Sequence, residues 1–168
     1  MAKTETTEEI LKRNFNKVKD FIIKVGIKED NIIENQEEWS FEIPLTVEFK
    51  DSDPMVLKTK ILITEKWIFS KCLIMFGNTI PSGNIKHMLY QEMLRANFDL
   101  AEVTFSLDQA ENIYIETDMP VHTNYENFET EFQSIPFGVL HFFNDIGPRI
   151  SAELKRQDTF GKHGSMYV

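Results

Sequence analysis

Asp108, Glu111 and Asn112 crowd one short stretch, "FSLDQAENIYI", and oxygen-bearing side chains this close together can bind calcium or, as a carboxylate pair, move a proton. The calcium reading fails on spacing. Counting from Asp108 as the first ligand position, Ala110 stands third and Ile113 sixth, where an oxygen ligand and a glycine are required. Alternating segments, not helices, flank the stretch. A catalytic pair needs a cleft that raises one carboxyl, and the tip of a hairpin offers water instead. The residues are good turn formers, so the stretch is expected to be a bend.

The four histidines, His87, His122, His141 and His163, are scattered. Glu92 and Glu126 stand near His87 and His122, but neither pair has a third ligand, so no zinc or iron site is expected. The single cysteine, Cys72, excludes an internal disulfide, and its place in the apolar run "FSKCLIMF" marks it as a small buried hydrophobe. No phosphate-binding glycine loop, dinucleotide fingerprint or nucleophile elbow occurs, and "FGKHG" lacks a helix to follow it. No catalytic, cofactor-binding or metal-binding residue is therefore assigned, and the chain is not expected to be an enzyme.

Composition agrees with a binding or structural role. The chain has 168 residues, 42% of them apolar and 27% charged, with a formal net charge of −9. That length suits one domain with a sizeable core, and the acidity disfavours duplex nucleic acid. Fourteen phenylalanines against four tyrosines suggest a core filled with rings that need no polar partner. Residues 29–54 hold nine acids against Lys50 alone. Neither a secretory signal nor an apolar run of membrane-spanning length is found, and the protein is expected to be cytoplasmic.

The elements that must position any site can be read from period. Thr6 and Glu9 form a capping box before a helix whose stripe is Leu11, Phe15, Val18, Ile22 and Val25, ending at Gly26. A polar linker, "IKEDNIIENQEE", follows. Residues 39–49 alternate strictly, with Trp39, Phe41, Ile43, Leu45, Val47 and Phe49 on one face. "MVLKTKILITE" and "KWIFSKCLIMF" read as two more strands, the second a central one. Ser82 or Asn84 should cap a second helix that runs to about residue 97. Val103, Phe105 and Leu107, then Ile113 and Ile115, form a hairpin around the bend. Thr123 or Asn124 should cap a last helical region whose stripe runs from Phe128 to Ile150, with kinks at Pro136 and Pro148. The reading is an α+β domain over residues 6–156, an antiparallel sheet of about five strands with helices packed on it in the order α-β-β-β-α-β-β-α. Residues 157–168 form a tail.

That order, with "EMLRANFDLAEVTFSLDQAENIYIETDMP" as its second half, resembles the type III secretion chaperone-like fold superfamily. In those proteins a middle helix ending in a Leu-rich, Asn-containing segment leads into a hairpin with an acidic turn. Here the segment is Met93, Leu94 and Asn97, and the hairpin is Val103, Phe105, Leu107, Asp108, Ile113 and Ile115. The resemblance spans residues 6–150 in element order. The superfamily also holds bacterial and archaeal domains with no secretion partner. This chain departs from it in the long, interrupted C-terminal helix and in a basic first helix with Lys12, Arg13, Lys17, Lys19 and Lys24.

The resemblance implies a small, acidic, non-enzymatic α+β protein, commonly a homodimer, in a family whose secretion chaperones hold an extended segment of a client. Two sites follow from the residues. Pro44 suggests that the strand at 39–49 lies at a sheet edge, where Glu42 and Glu48 would favour a basic client segment added as a strand; the more usual role of such residues is to protect that edge from pairing. Met88, Tyr90, Met93 and Leu94 of the middle helix are the expected dimer contacts, because that helix carries apolar residues on two flanks. An alternative function is an apolar small-ligand binder, with the Phe-rich stripe of the last helix lining its pocket. A further alternative is an enzyme whose acids converge from distant segments.

Overall fold

The computed structural model describes residues 5–164 apart from Asp51 and Ser82; the side chains of Ser52 and of residues 157–164 are left out of the description. In chain order the elements are α1 (Thr7–Lys24), β1 (Ile33–Asn35), β2 (Ser40–Phe49), β3 (Ser52–Ile63), β4 (Trp67–Met75), α2 (Asn84–Asp99), β5 (Thr104–Leu107), β6 (Ile113–Pro120), α3 (Tyr125–His141) and α4 (Gly147–Gly164). The strands form one antiparallel sheet of six in the order β1-β2-β3-β4-β6-β5. The α+β class and the order of the main elements follow the sequence reading, with one strand added.

The helix starts explain themselves. Thr6 Oγ1 accepts from the Glu9 N–H at 3.3 Å, and the Glu9 carboxylate accepts from the Thr6 N–H at 2.8 Å, so the box satisfies two orphan donors. Gly26, at φ +100°, turns the chain out of α1. Asn124 caps α3 through Oδ1, which accepts from the Asn127 N–H at 2.9 Å. At α2 the cap is Gly83 with no side-chain bond, so Asn84 is the first helical residue rather than the cap. The alternative cap, Ser82, lies outside the described residues.

Of the helices, α1 and α3 pack as a layer across one face of the sheet, α2 lies along β5, and α4 packs on α2. Phe41, Ile43, Leu45 and Val47 of β2, Ile61 and Ile63 of β3, Ile68 and Cys72 of β4, and Ile113, Ile115 and Met119 of β6 point into that layer and are buried. Phe15 of α1 stacks on Phe41 at 4.1 Å, and Phe128 and Phe132 of α3 stack at 5.8 Å with their planes 2° apart. Residues of opposite parity form the other face. They are exposed or half-buried, apart from Ser40.

Four departures from the sequence reading have physical causes. The polar linker contains β1, too short for an alternation to show, with Ile33 set opposite Glu42 and Asn35 opposite Ser40. Trp39 lies outside β2 because it takes a left-handed φ of 53°; its ring meets Phe15 edge-on at 5.9 Å. Pro136 sits inside α3 without ending it. Before Pro148 the chain widens into a π-helical turn over Phe142–Ile146, which makes room for a ring that would press on the carbonyl of the preceding turn. The backbone then stays helical to Gly164, past the expected start of a tail at 157; residues 165–168 lie outside the described residues.

Candidate functional site

The two margins of the sheet decide whether a strand can be added. Ile63 N–H donates to Trp39 O at 2.9 Å, so odd-numbered residues along β2 turn their main-chain groups to β3 and even-numbered ones turn the other way. Glu42 is the last of the even residues paired with β1. The next is Pro44, which has no N–H to give. β2 is therefore covered by β1 over its first residues and becomes the true margin only from Ile43 onward. Its missing donor lies on the open side, and Thr46 and Glu48 carry the N–H groups that remain there. A register irregularity between Val47 and Phe49 distorts the last of it.

The opposite margin, β5, is covered by a side chain. Asn97 of α2 binds both main-chain groups of Phe105, accepting from its N–H at 2.6 Å and donating to its carbonyl at 3.0 Å. Asn97 thus has a concrete task, sealing the strand that follows it.

The bend at Asp108 is equally well explained. One Asp108 oxygen accepts from the N–H groups of Ala110 and Asn112, each at 2.9 Å, and the other from Asn112 Nδ2 at 2.9 Å and Tyr114 Oη at 3.1 Å. The Asn112 side chain, with those main-chain donors and Tyr114, holds the Asp108 carboxyl below its usual range. Glu111 turns away to Lys86.

Away from the margins, the helix-free face carries a trough of about 520 Å³. Leu62, Leu73 and Tyr114 give it an apolar floor, with Leu107 at its edge; Lys58, Lys60 and Lys71 stand among them, and Glu42, Asp108 and Glu116 lie at its sides. Lys71 Nζ is 2.6 Å from Glu116, Lys60 Nζ 2.5 Å from Glu38, and Lys58 Nζ 3.9 Å from Glu42. Part of the acidic block at 29–54 is thus neutralised by lysines of β3, which the linear sequence places outside it. A smaller hollow of about 310 Å³ joins the free margin of β2, between Ile33, Pro44 and Val56.

The expected site residues are distributed over several surfaces. Glu42 borders both hollows, Pro44 borders the smaller one, and Glu48 is exposed beyond them. On α2, Met93 is 4% exposed and belongs to the core. Met88 and Tyr90 are half-buried, and Leu94 is 70% exposed. Phe98, one turn further along, is 91% exposed and was not anticipated, although its spacing from Leu94 was available.

Acids from distant segments do converge, the arrangement that the enzyme alternative calls for, at residues the sequence did not single out. Glu131 of α3, Glu102 of the loop before β5 and Asp118 of β6 line a hollow of about 260 Å³. Burial first, then a hydrogen bond and charge from Glu102, and finally Asp118 push the Glu131 carboxyl up to about 7. A hydrogen bond between the Glu131 and Glu102 carboxyl groups ties α3 to the loop before β5. Cys72 is fully buried, and burial pushes its thiol up to about 11. Among the described residues, no group of three or more His, Cys, Asp or Glu is placed to hold a metal ion, and no helix is long and apolar enough to cross a membrane.

No protein-family model and no curated protein matches the chain. Among solved structures, it is similar to a chain from the crystal structure of the ExsC–ExsE complex, with 10% sequence identity and a TM-score of 0.49, over 85% of this chain and 97% of that one.

Proposed function

We propose that the protein is a non-enzymatic, chaperone-like binding protein that holds an extended segment of a partner protein against the helix-free face of its sheet. The observation that carries this reading is the trough. A solvated sheet face needs only polar side chains. This one carries Leu62 on one side of the Lys60–Lys71 row and the cross-strand pair Leu73 and Tyr114 on the other, all lining the trough, with Phe69 opposite Leu62 just outside it. Single exposed apolar residues are ordinary, whereas several lining one concave surface on both sides of a charged row support a contact site. Strand addition contributes less than side-chain docking, because β1, Pro44 and Asn97 blunt both margins and leave main-chain donors at Thr46 and Glu48. The small-ligand alternative has weaker support, since Phe128, Phe132 and Phe142 are buried against core neighbours. We further read the protein as a homodimer, with Leu94 and Phe98 of α2 as the apolar contacts.

Selection of short random peptides on the parent and on a Leu73→Asp variant tests the binding site. Peptides enriched on the parent and lost on the variant support it. Equal enrichment on both, or none on either, rejects this face as the binding surface.

A further inference from the structure

The centre of the trough is cationic in a chain whose net charge is −9. Lys60 of β3 and Lys71 of β4 are direct cross-strand partners, and both alternate with buried residues, so both amines rise from the helix-free face. Glu42 stands opposite Lys60, and Glu116 opposite Lys71. One row across four strands therefore reads acid, base, base, acid, with the two amines together in the middle. Like charges directly opposite each other destabilise an antiparallel pair. Alternating signs would serve the sheet better, and the chain does not use them.

The lysines already touch carboxylates, but those contacts lie on an open surface, where ion pairs contribute little and exchange readily. An ammonium has three donors, and one carboxylate contact leaves the others to water. An incoming carboxylate between Lys60 and Lys71 relieves their mutual repulsion and takes up those donors. Glu42 and Glu116 on either side repel acids placed further out, which confines the favoured acid to the middle.

We propose that the trough recognises a partner segment with an acidic side chain between apolar ones, its carboxylate seated between Lys60 and Lys71 and its apolar neighbours on Leu62, Leu73 and Tyr114. This rests on the reading of the helix-free face as the docking surface. It assigns the opposite charge preference from the one that Glu42 and Glu48 suggest when taken alone, because Glu42 sits beside Lys58 and the middle of the row belongs to the lysines.

The test uses fluorescein-labelled short peptides of alternating leucine and serine, carrying at the centre two aspartates, two asparagines or two lysines, with binding read by anisotropy on the full chain. The aspartate peptide should bind about tenfold more tightly than the asparagine one, the size of one charge-assisted hydrogen bond. That difference should vanish in Lys60→Gln/Lys71→Gln, and Glu42→Gln should tighten aspartate binding. The ion pairs of both lysines lie on an open surface and contribute little, so the double variant should unfold close to the parent's temperature, which keeps a loss of binding interpretable. Equal affinity for the aspartate and asparagine peptides, or preference for the lysine peptide, overturns the proposal; if Leu73→Asp still abolishes that binding, the docking surface itself stands. Binding of none of the peptides overturns both. Saturable binding of decanoate without binding of the aspartate peptide also overturns the proposal, because the lysine pair would then serve an amphiphile rather than a protein segment.

Discussion

Asn97 and Phe105 are joined by two hydrogen bonds, the side-chain amide of one serving both main-chain groups of the other at 2.6 and 3.0 Å. A primary amide offers one acceptor and donors in the geometry of a peptide group, so the end of α2 stands where another strand would pair with β5. An unpaired edge invites association with other chains, and covering it is one way to prevent that. The margin at β2 is blunted differently, by a proline whose absent donor falls on the open side.

Replacing Asn97 by Ala removes both bonds and leaves the Phe105 N–H and carbonyl to find water in a half-buried position. The expected loss is about 1–3 kcal/mol of unfolding free energy. Asn97→Asp should cost at least as much, since it sets a carboxylate oxygen against the Phe105 carbonyl. Urea unfolding measures both. A midpoint unchanged in Asn97→Ala would show that water replaces the amide without cost.

Gly77 is held by its N–H, which donates to Asn112 Oδ1 at 2.9 Å, and its Cα faces the main chain of the hairpin bend. A Cβ added there would collide with the Ala110 carbonyl oxygen and lie 2.8 Å from that of Glu111. Main chain cannot move aside as a flexible side-chain end can. Gly77→Ala should therefore destabilise by about 2–4 kcal/mol. A thermal midpoint equal to the parent's would mean that the β5–β6 bend shifts freely.

Local periodicity made much of this fold legible. Phe41 to Val47 alternate because one face of β2 is buried and the other wet, and Thr6 with Glu9 announces α1 because a cap is a short-range interaction. What could not be read depends on register between strands. Lys60 and Lys71 look like ordinary outward residues, each in its own strand; only the pairing of β3 with β4 brings them together. Pro44 suggests an edge, but which neighbour loses the donor depends on the direction in which even-numbered residues of β2 turn. Glu102, Asp118 and Glu131 come from three separate segments and share no spacing rule. β1 was missed for the opposite reason: three residues are too few to display a period.

Leu94 and Phe98 lie one turn apart on α2, and both are largely exposed. If a second copy covers them, light scattering at micromolar concentration should give about twice the chain mass of 19.7 kDa. Leu94→Asp/Phe98→Ser should then return the single-chain mass, with little change in far-ultraviolet circular dichroism, because neither side chain belongs to the core. A parent that already scatters as a single chain would refute the dimer.

Glu131 gives stability a pH dependence of unusual sign for a carboxyl group. In the folded chain, burial and the neighbouring Glu102 and Asp118 keep its proton on up to about pH 7. An unfolded chain releases it near the ordinary glutamate value of about 4.3. Between those values the folded state binds more protons, so this group's contribution to stability falls as pH rises through the window and is lost above it. The acids with depressed values, such as Asp108 and Glu38, act in the other direction at lower pH. Glu131→Gln keeps a donor for Glu102 and removes the charge. It should match the parent near about pH 4.5 and exceed it near about pH 8 by on the order of 1 kcal/mol, a figure reduced for partial solvent exposure. Urea unfolding of both proteins across that range decides the matter. Parallel stability curves, with no gain for the variant at the alkaline end, would show that Glu131 is ionised beside Glu102 throughout.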